Sequence, residues 1–334
     1  MLFGHRQKGS VVMRKFDLCS GVLSMMLLVF SSAALSTYPD KPIRVVIGFP
    51  AGTATDVATR ILVNKMSEDL GRPFVVDNKP GAGTNIAALA VAKSAPDGYT
   101  LFMAGNTNSV NPALLKTVPI DVMKDFSPIG LAVSVPSILV VHPSLGVNSV
   151  SELTALVKSK PGAVFFASSG NGTMSHLAGE LFGMSTNSKM VHVAYKGSAQ
   201  ATTDLLSGGV PVMFAPASTV LPFIKAGKLK ALATTGVERS KIAPDLPTVS
   251  EAGVKGYDTR IWFGLVAPIG TPEVILKVLL TSLEKSQDAS DVREQLFHQG
   301  IEPYRGNAKA FSEHMAKEIK KWTEVVTSAG ITPD

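Results

Sequence analysis

The chain has 334 residues, 32 Lys and Arg against 26 Asp and Glu, a formal net charge of +6 and 45% hydrophobic residues. Acids and bases are interspersed, and beyond the first residues no like-charge run exceeds Lys320-Lys321, so the charge pattern does not support a nucleic-acid partner. Cys19 is the only cysteine, which excludes an intramolecular disulfide.

The first element in chain order reads as a targeting segment over residues 1–36. Arg6, Lys8, Arg14 and Lys15 form a basic region, residues 18–30 an apolar core, and Ala34-Leu35-Ser36 resembles a small-residue cleavage site, with cleavage expected after Ser36. Met13 is an alternative start. The apolar run is shorter than the roughly 20 residues of a membrane span, and no second run follows it. Removing four basic residues and one acid lowers the net charge from +6 to +3 and leaves 298 residues without cysteine. Such a chain has no thiolate nucleophile and no Cys-ligated metal. At this length a chain buries roughly 75% of its unfolded surface and usually divides into two lobes.

Residues 43–56, IRVVIGFPAGTATD, come next. A buried strand breaking into Pro, Gly and Thr and then entering an amphipathic helix aims unpaired N–H groups and the positive helix end into one crevice, an anion-binding turn. The small Ala51, Gly52 and Thr53 leave room for a ligand to reach the backbone. The helix expected over 56–70 carries Val57, Ile61, Leu62, Met66 and Leu70 on one face and is stopped by Gly71 and Pro73. Strands are expected over 43–49, 74–77, 100–104, 138–141, 164–167, 191–194, 212–214 and 229–234. Their alternation with helical segments predicts parallel βαβ units. Ser149 and Glu152 form a capping box for a helix over 151–158. The last seventy or so residues are mostly helix, over 273–285, 291–299 and 310–328.

Two long extended stretches without a helix, residues 127–144 and 261–268, predict that the chain crosses twice between lobes and so forms a hinge. The expected division is 37–139 plus 262–334 in one lobe and 140–261 in the other. Residues 165–182, FFASSGNGTMSHLAGELF, repeat the strand-turn-helix order, with Thr173 or Ser175 able to cap. Ser168, Ser169, Gly172 and Thr173 there offer N–H groups and hydroxyls to a carboxylate from the opposite side of the cleft.

At this point the chain resembles a known family. YPDKPIRVVIGFPAGTATD, NKPGAGTNIAALAVAKSAPDGYTL, NPALL, DFSPIG, VVHPSLGVNSVSEL, ASSGNGTMSHLAGELF, HVAYKGSAQATTDLLSGGV, LPFIKAGKLKALATT, LPTVSEAGVKGY and APIGTP, in that order, are similar to the Bug-type substrate-binding proteins of tripartite tricarboxylate transporters. The resemblance covers essentially the whole chain after the leader. It implies an α/β, two-lobe periplasmic binding protein of type II (Venus-flytrap), each lobe a mixed sheet flanked by helices. It further implies a monomer that closes on a small organic carboxylate and hands it to two integral membrane subunits, without cofactor, metal or catalysis.

Carried onto this chain, the family's first ligand loop falls on Phe49 to Asp56, including Thr55. Relatives have two consecutive glycines there, whereas Thr53 follows Gly52 here. If that position needs positive φ, Thr53 is strained; alternatively its hydroxyl adds a donor or narrows the pocket. The second loop falls on residues 168–173. Asn106, Thr107 and Ser109 follow the third strand and are wall residues on the same reading. Ala215 stands where many relatives have an acid, which argues against a cationic group on the ligand.

Several residues admit two readings. Asp56 caps its helix or meets a ligand hydroxyl or amine. Phe49 is core or aromatic wall. His176 and Glu180 have a metal-ligand spacing, but no third ligand is visible, and a surface or cleft pair is the simpler account. The Gly81-Ala82-Gly83 run is not a dinucleotide fingerprint, because its third glycine would fall on Ile86. Tyr195-Lys196 is not a catalytic pair, because neighbours on a strand face opposite ways. Three functions follow: a periplasmic solute receptor, a ligand-sensing co-receptor for signalling, and a secreted α/β enzyme. The enzyme is opposed by the lack of a GxSxG turn, a metal motif or a cysteine after the leader. Neither turn holds an Arg, so the carboxylate is met by neutral donors or ordered water.

Overall fold

Two sheets carry the site. The computed structural model describes residues 38–115 and 117–332, so the expected leader over 1–36 lies outside the described residues. The first sheet contains β1 (Ile43–Ile47), β2 (Phe74–Asn78), β3 (Thr100–Gly105), β4 (Phe126–Val135), β10 (Ile261–Pro268) and β11 (Glu302–Asn307), in the order β11-β4-β10-β3-β1-β2. The second contains β5 (Ser137–Val141), β6 (Phe165–Ser168), β7 (Val191–Ala194), β8 (Val212–Pro216) and β9 (Lys230–Thr234), in the order β7-β6-β8-β5-β9.

Both sheets are mixed, as the family resemblance implied, whereas the strand-helix alternation by itself pointed to parallel βαβ units. β1 runs parallel to β2 and β3, and β6 parallel to β7 and β8. β10 is antiparallel to β3 and β4, β11 to β4, and β5 to β8 and β9. The reversed strands are β10 and β11 in the first sheet and β5 in the second; β10 and β5 come from the two long extended stretches, which join their sheets without a helical crossover.

Ten helices flank the sheets among the described residues. After the first-sheet strands come α1 (Ala54–Leu70), α2 (Asn85–Ala92) and α3 (Asn106–Leu114). With the second sheet go α4 (Val150–Ser159), α5 (Met174–Thr186), α6 (Ser198–Ser207) and α7 (Ala217–Lys225). The chain ends with α8 (Glu273–Asp288), α9 (Ser290–His298) and α10 (Ala308–Ala329). The capping box at Ser149 forms with a shift. Glu152 N–H donates to Ser149 Oγ at 3.1 Å, while the Glu152 carboxylate accepts from Asn148 N–H, one residue upstream of the cap.

β5 shows why these strands bury both faces. Leu139 and Val141 enter one core with Phe166, Phe182, Phe214 and Tyr257; Ile138 and Val140 enter the other with Leu205, Met213 and Val220. A side-chain period of two, covered by helices on both sides, makes residues 138–141 (ILVV) continuously apolar. Full burial of each such side chain contributes about 1.5–3 kcal/mol.

The chain leaves the first sheet at Val135, passes Pro136 and enters the second at Ser137; it returns between Thr234 and Ile261. The two passages are tied together. Thr235 N–H donates to Ser137 O at 3.0 Å, Thr259 N–H to Thr235 O at 2.8 Å, and Thr235 Oγ1 to Thr259 O at 2.6 Å. The expected division after residue 139 falls inside β5.

Candidate functional site

The two strand-turn-helix segments have the same local structure. Gly52 and Gly172 take positive φ, +81° and +67°. Thr53 and Thr173 follow them as helix caps with nearly identical backbones, φ −73°, ψ 161° and φ −73°, ψ 159°. Thr53 Oγ1 donates to Pro50 O at 2.8 Å, and Thr173 Oγ1 to Gly170 O at 2.7 Å. The third helical residue then reaches back to the glycine: Gly52 N–H donates to Asp56 Oδ2 at 2.9 Å, and Gly172 N–H to His176 Nδ1 at 3.1 Å. The missing second glycine therefore strains nothing. Positive φ is required at Gly52, and Thr53 sits in extended backbone.

Between these turns lies a cleft of about 390 Å³. Eight of the expected residues line it: Phe49, Thr53, Thr55, Asn106, Thr107, Ser169, Gly172 and Thr173. Ala54, inside the loop expected over Phe49 to Asp56, lines it too, and Val110, Asn111, Leu114, Ser137, Met174, Ser175, Ser198, Phe214, Pro216, Ile261 and Phe263 complete the lining without having been expected. Phe49 is wall rather than core and meets Phe263 edge to face, ring centres 6.3 Å apart.

Seven expected residues stand off the lining. Ala51 and Gly52 are exposed on the outer turn. Ser109 is fully buried and donates to Asn106 O at 2.7 Å. Ala215 is sealed inside β8 among apolar neighbours. The Ser168 hydroxyl is engaged with Gly170 O at 3.0 Å and His192 Nε2 at 2.6 Å. Asp56 is buried and spent on its own turn, accepting from Gly52 N–H, from Arg60 Nε at 3.0 Å and from Asn78 Nδ2 at 3.0 Å. Burial pushes its carboxyl up, but the bonds from Arg60, Gly52 and Asn78 outweigh this and hold it below the ordinary carboxylate range. His176 stacks on His192, ring centres 3.6 Å apart and 8° from parallel. Its accepting Nδ1 leaves the ring proton on Nε2, which faces Glu180 at 3.6 Å.

The same accounting shows which hydroxyls are available. Thr53, Ser169, Thr173 and Ser175 are engaged within the turns, the last three with one another at 3.0–3.1 Å. Thr55, Thr107, Ser137 and Ser198 line the cleft with hydroxyls that no protein group takes up among the described residues. Thr55 and Thr107 were expected. Ser198 carries a related signal, since Gly197-Ser198 follows a strand and opens a helix, with the glycine rather than the hydroxyl residue in the cap position.

Among the described residues no Asp, Glu, Lys, Arg or His appears in the lining of the cleft. Five helices begin on it instead, through Ala54 and Thr55 of α1, Asn106 and Thr107 of α3, Met174 and Ser175 of α5, Ser198 of α6, and Pro216 before α7. The first N–H groups of a helix lack intrahelical acceptors and carry the positive end of its dipole. The first intrahelical bonds of α1 and α5 are made by Val57 and Leu177, so the amides before them are open to a ligand. A cavity ringed by helix N-termini attracts an anion.

Among the described residues no group of three or more His, Cys, Asp or Glu is arranged to hold a metal ion, and no helix is long and apolar enough to cross a membrane. Tyr195 donates to the Asp204 carboxylate; burial first and Asp204 second push its phenol up to about 12, which leaves it a poor proton donor or acceptor in catalysis.

Comparison with known proteins places these features in context. Residues 58–331 match the model of the tripartite tricarboxylate transporter family receptor. The chain is 35% identical over 304 residues to Protein BugT of Bordetella pertussis, covering 90% of this chain and 93% of that one. Among solved structures it is similar to R. palustris Rpa4515 with adipate, at 34% identity and TM-score 0.74, covering 89% of this chain and all of that one. It is similar also to MatC from Rhodopseudomonas palustris with bound malate, at 31% identity and TM-score 0.70, covering 86% and 100%.

Proposed function

The chain belongs to the tripartite tricarboxylate transporter receptor family, and on that premise we propose that it captures a small organic carboxylate in the cleft between its two sheets and delivers it without chemical change. The observation that carries this reading is the cleft itself, with five helix N-termini and four hydroxyls unengaged among the described residues, which contribute no charged side chain to its lining. The adipate and malate bound to its structural neighbours support the ligand class.

The mechanism is capture, closure and delivery. Amides of α1 and hydroxyls of Thr55 and Thr107 hold the ligand from the first sheet; amides of α5 and the Ser198 hydroxyl hold it from the second. Each hydrogen bond to the charged group contributes about 1.5–3 kcal/mol, and micromolar affinity needs about 8 kcal/mol net, so a few bonds spanning the cleft favour the closed state. The passages at Pro136 and Thr235 to Thr259 serve as the hinge, each sheet with its helices forming a lobe. Delivery is to two membrane transporter subunits from the periplasm, in keeping with the leader read over residues 1–36.

A thermal-shift screen over organic acids tests the reading. At least one acid should raise Tm and be recovered unchanged, and deletion of the protein should abolish its uptake. Turnover of the bound acid would support an enzyme instead.

A further inference from the structure

Two stacked imidazoles sit behind the second turn, at the place where the first turn has a carboxylate. We infer that His176 is a proton-sensitive positioning residue: its neutral ring holds Gly172 in the conformation that lines the cleft, and uptake of a proton releases that turn, so that capture weakens in acid. The proton-sensitive turn stands on its own geometry; only its consequence for capture rests on the receptor reading above.

The two turns give the same task to different chemistry. In each, the third residue of the helix accepts the N–H of the positive-φ glycine, Asp56 Oδ2 from Gly52 at 2.9 Å and His176 Nδ1 from Gly172 at 3.1 Å. A backbone N–H can only donate, so Nδ1 presents its lone pair and the single proton of the neutral ring lies on Nε2. A second proton can go only to Nδ1. The imidazolium then sets a ring N–H against the Gly172 N–H, and an accepted bond becomes a clash of two donors. Imidazole is the side chain that ordinarily takes up its proton between about pH 5 and 8. Burial pushes the Asp56 carboxyl up, but the bonds from Arg60, Gly52 and Asn78 hold it below the ordinary carboxylate range, so the first turn keeps its acceptor over that window.

The stacked pair grips the second turn at two points. His192 lies on His176 with ring centres 3.6 Å apart and meets Ser168 Oγ at 2.6 Å, and that oxygen accepts the N–H of Gly170 at 3.1 Å. The elements packed on α5 bring few charges to this place. β6 and β8 contribute Phe166, Ser168 and Phe214, and α10 contributes Trp322, Val325 and Val326. Glu180 Oε1 stands 3.6 Å from His176 Nε2, and Lys158 and Lys189 line with Glu180 a separate cavity of about 520 Å³. Glu180 thus gives the imidazolium a partner at Nε2 and leaves the conflict at Nδ1. A turn displaced at Gly172 carries with it the start of α5, whose amides the receptor reading assigns to the ligand.

Nuclear magnetic resonance of the purified protein without ligand tests the turn. Asn171-Gly172 is the only Asn-Gly step in the chain, so paired labels on the Asn carbonyl carbon and the Gly nitrogen isolate the Gly172 amide. That amide and the ring nitrogens of His176 should titrate together between about pH 8 and 5, with Nδ1 unprotonated at the upper end. In His176→Asn, whose side-chain oxygen can take the same bond but not a proton, the Gly172 amide should stay fixed over this range. Adipate and malate serve as probes of capture: the dissociation constant of the tighter one should rise about tenfold on acidification in wild type and by clearly less in His176→Asn. A Gly172 amide that stays fixed while His176 is protonated, or a His176 ring that stays neutral throughout, overturns the inference, as does an amide that still titrates in His176→Asn. An equal rise of the dissociation constant in both proteins overturns its consequence for capture. Failure of both probes to bind counts against the receptor reading alone, and the Gly172 amide then decides the inference.

Discussion

Gly172, in the second turn, lies directly beneath Leu114 at the end of α3, so that a Cβ added to Gly172 would stand 2.5 Å from Leu114 Cδ1. One residue belongs to the turn of the second sheet and the other to a helix of the first. The contact therefore crosses the cleft that both residues line.

Gly52 is the natural control for a Gly172→Ala substitution. Both glycines hold positive φ, but nothing lies within 4 Å of a Cβ at Gly52. Left-handed backbone costs an alanine about 1–2 kcal/mol, so Gly52→Ala should lower stability by about that much and Gly172→Ala by more. In a Leu114→Ala background the two penalties should become equal, since only the backbone cost remains. Urea denaturation of wild type, the three single variants and the Gly172→Ala/Leu114→Ala double variant measures this. A Gly172→Ala penalty that does not change on removing Leu114 would show that the contact has no energetic consequence.

Asp56 leads to a pH prediction with a definite sign. Its native carboxyl is held below the ordinary value, burial opposing and the bonds from Arg60, Gly52 and Asn78 prevailing. A depressed native pKa means the unfolded chain binds the proton more readily, so this contribution is complete above the unfolded value of about 4 and is lost as pH falls through the native value. Asp56→Asn should cost about 1–3 kcal/mol at pH 7 through the buried bonds it loses. The Arg60 ion pair itself adds little, because Arg60 is about half exposed. Below pH 4 the gap between wild type and variant should narrow in acid denaturation curves; a gap that widens there contradicts the assignment.

Much of this was readable in the chain. Residues 43–56 and 165–182 announce two strand-turn-helix units through Gly, Thr and apolar spacing alone, and the structure makes them near copies at Gly52-Thr53 and Gly172-Thr173. What the residue types conceal is who satisfies whom. Thr53 and Thr173 look like donors for a ligand, yet each hydroxyl closes onto the carbonyl three residues back, while Thr55 and Ser198 keep theirs open. Edge and crossing strands were also hard to read. β11, EPYRGN, is polar and only partly buried, so it shows no alternation, and β4 and β10 read as extended connectors because nothing local says that they pair with each other.

Thr53 supplies a third prediction, on the position where the family's second glycine is missing. Its backbone at φ −73° is open to any residue, so a glycine there relieves no strain. Thr53→Gly loses the bond to Pro50 O and makes the unfolded chain more flexible, and should destabilise by about 1 kcal/mol. Thr173→Gly, in the matching geometry, should cost a similar amount. A rise in Tm for Thr53→Gly would mean that the threonine backbone is strained after all.

The last prediction concerns Glu318 on α10, which fixes a wall residue without touching the cleft. Its Oε2 accepts from Trp322 Nε1 at 2.8 Å, Trp262 Nε1 at 3.1 Å and Asn106 Nδ2 at 3.2 Å, and Oε1 pairs with Lys321. Asn106 in turn accepts the N–H of Trp262 at 2.7 Å and donates to Arg260 O at 3.0 Å, so the carboxylate, the returning passage and the start of α3 form one network. Glu318→Gln keeps the shape but puts an amide donor among donors and leaves Lys321 without its charge partner. It should cost about 1–3 kcal/mol of stability, and Glu318→Ala more. A positioning role requires coupling: in a double-mutant cycle with Asn106→Ala, ligand affinity should show an interaction of about 0.5–3 kcal/mol. Additive effects would mean that Glu318 stabilises the C-terminal helix without setting the geometry of the cleft.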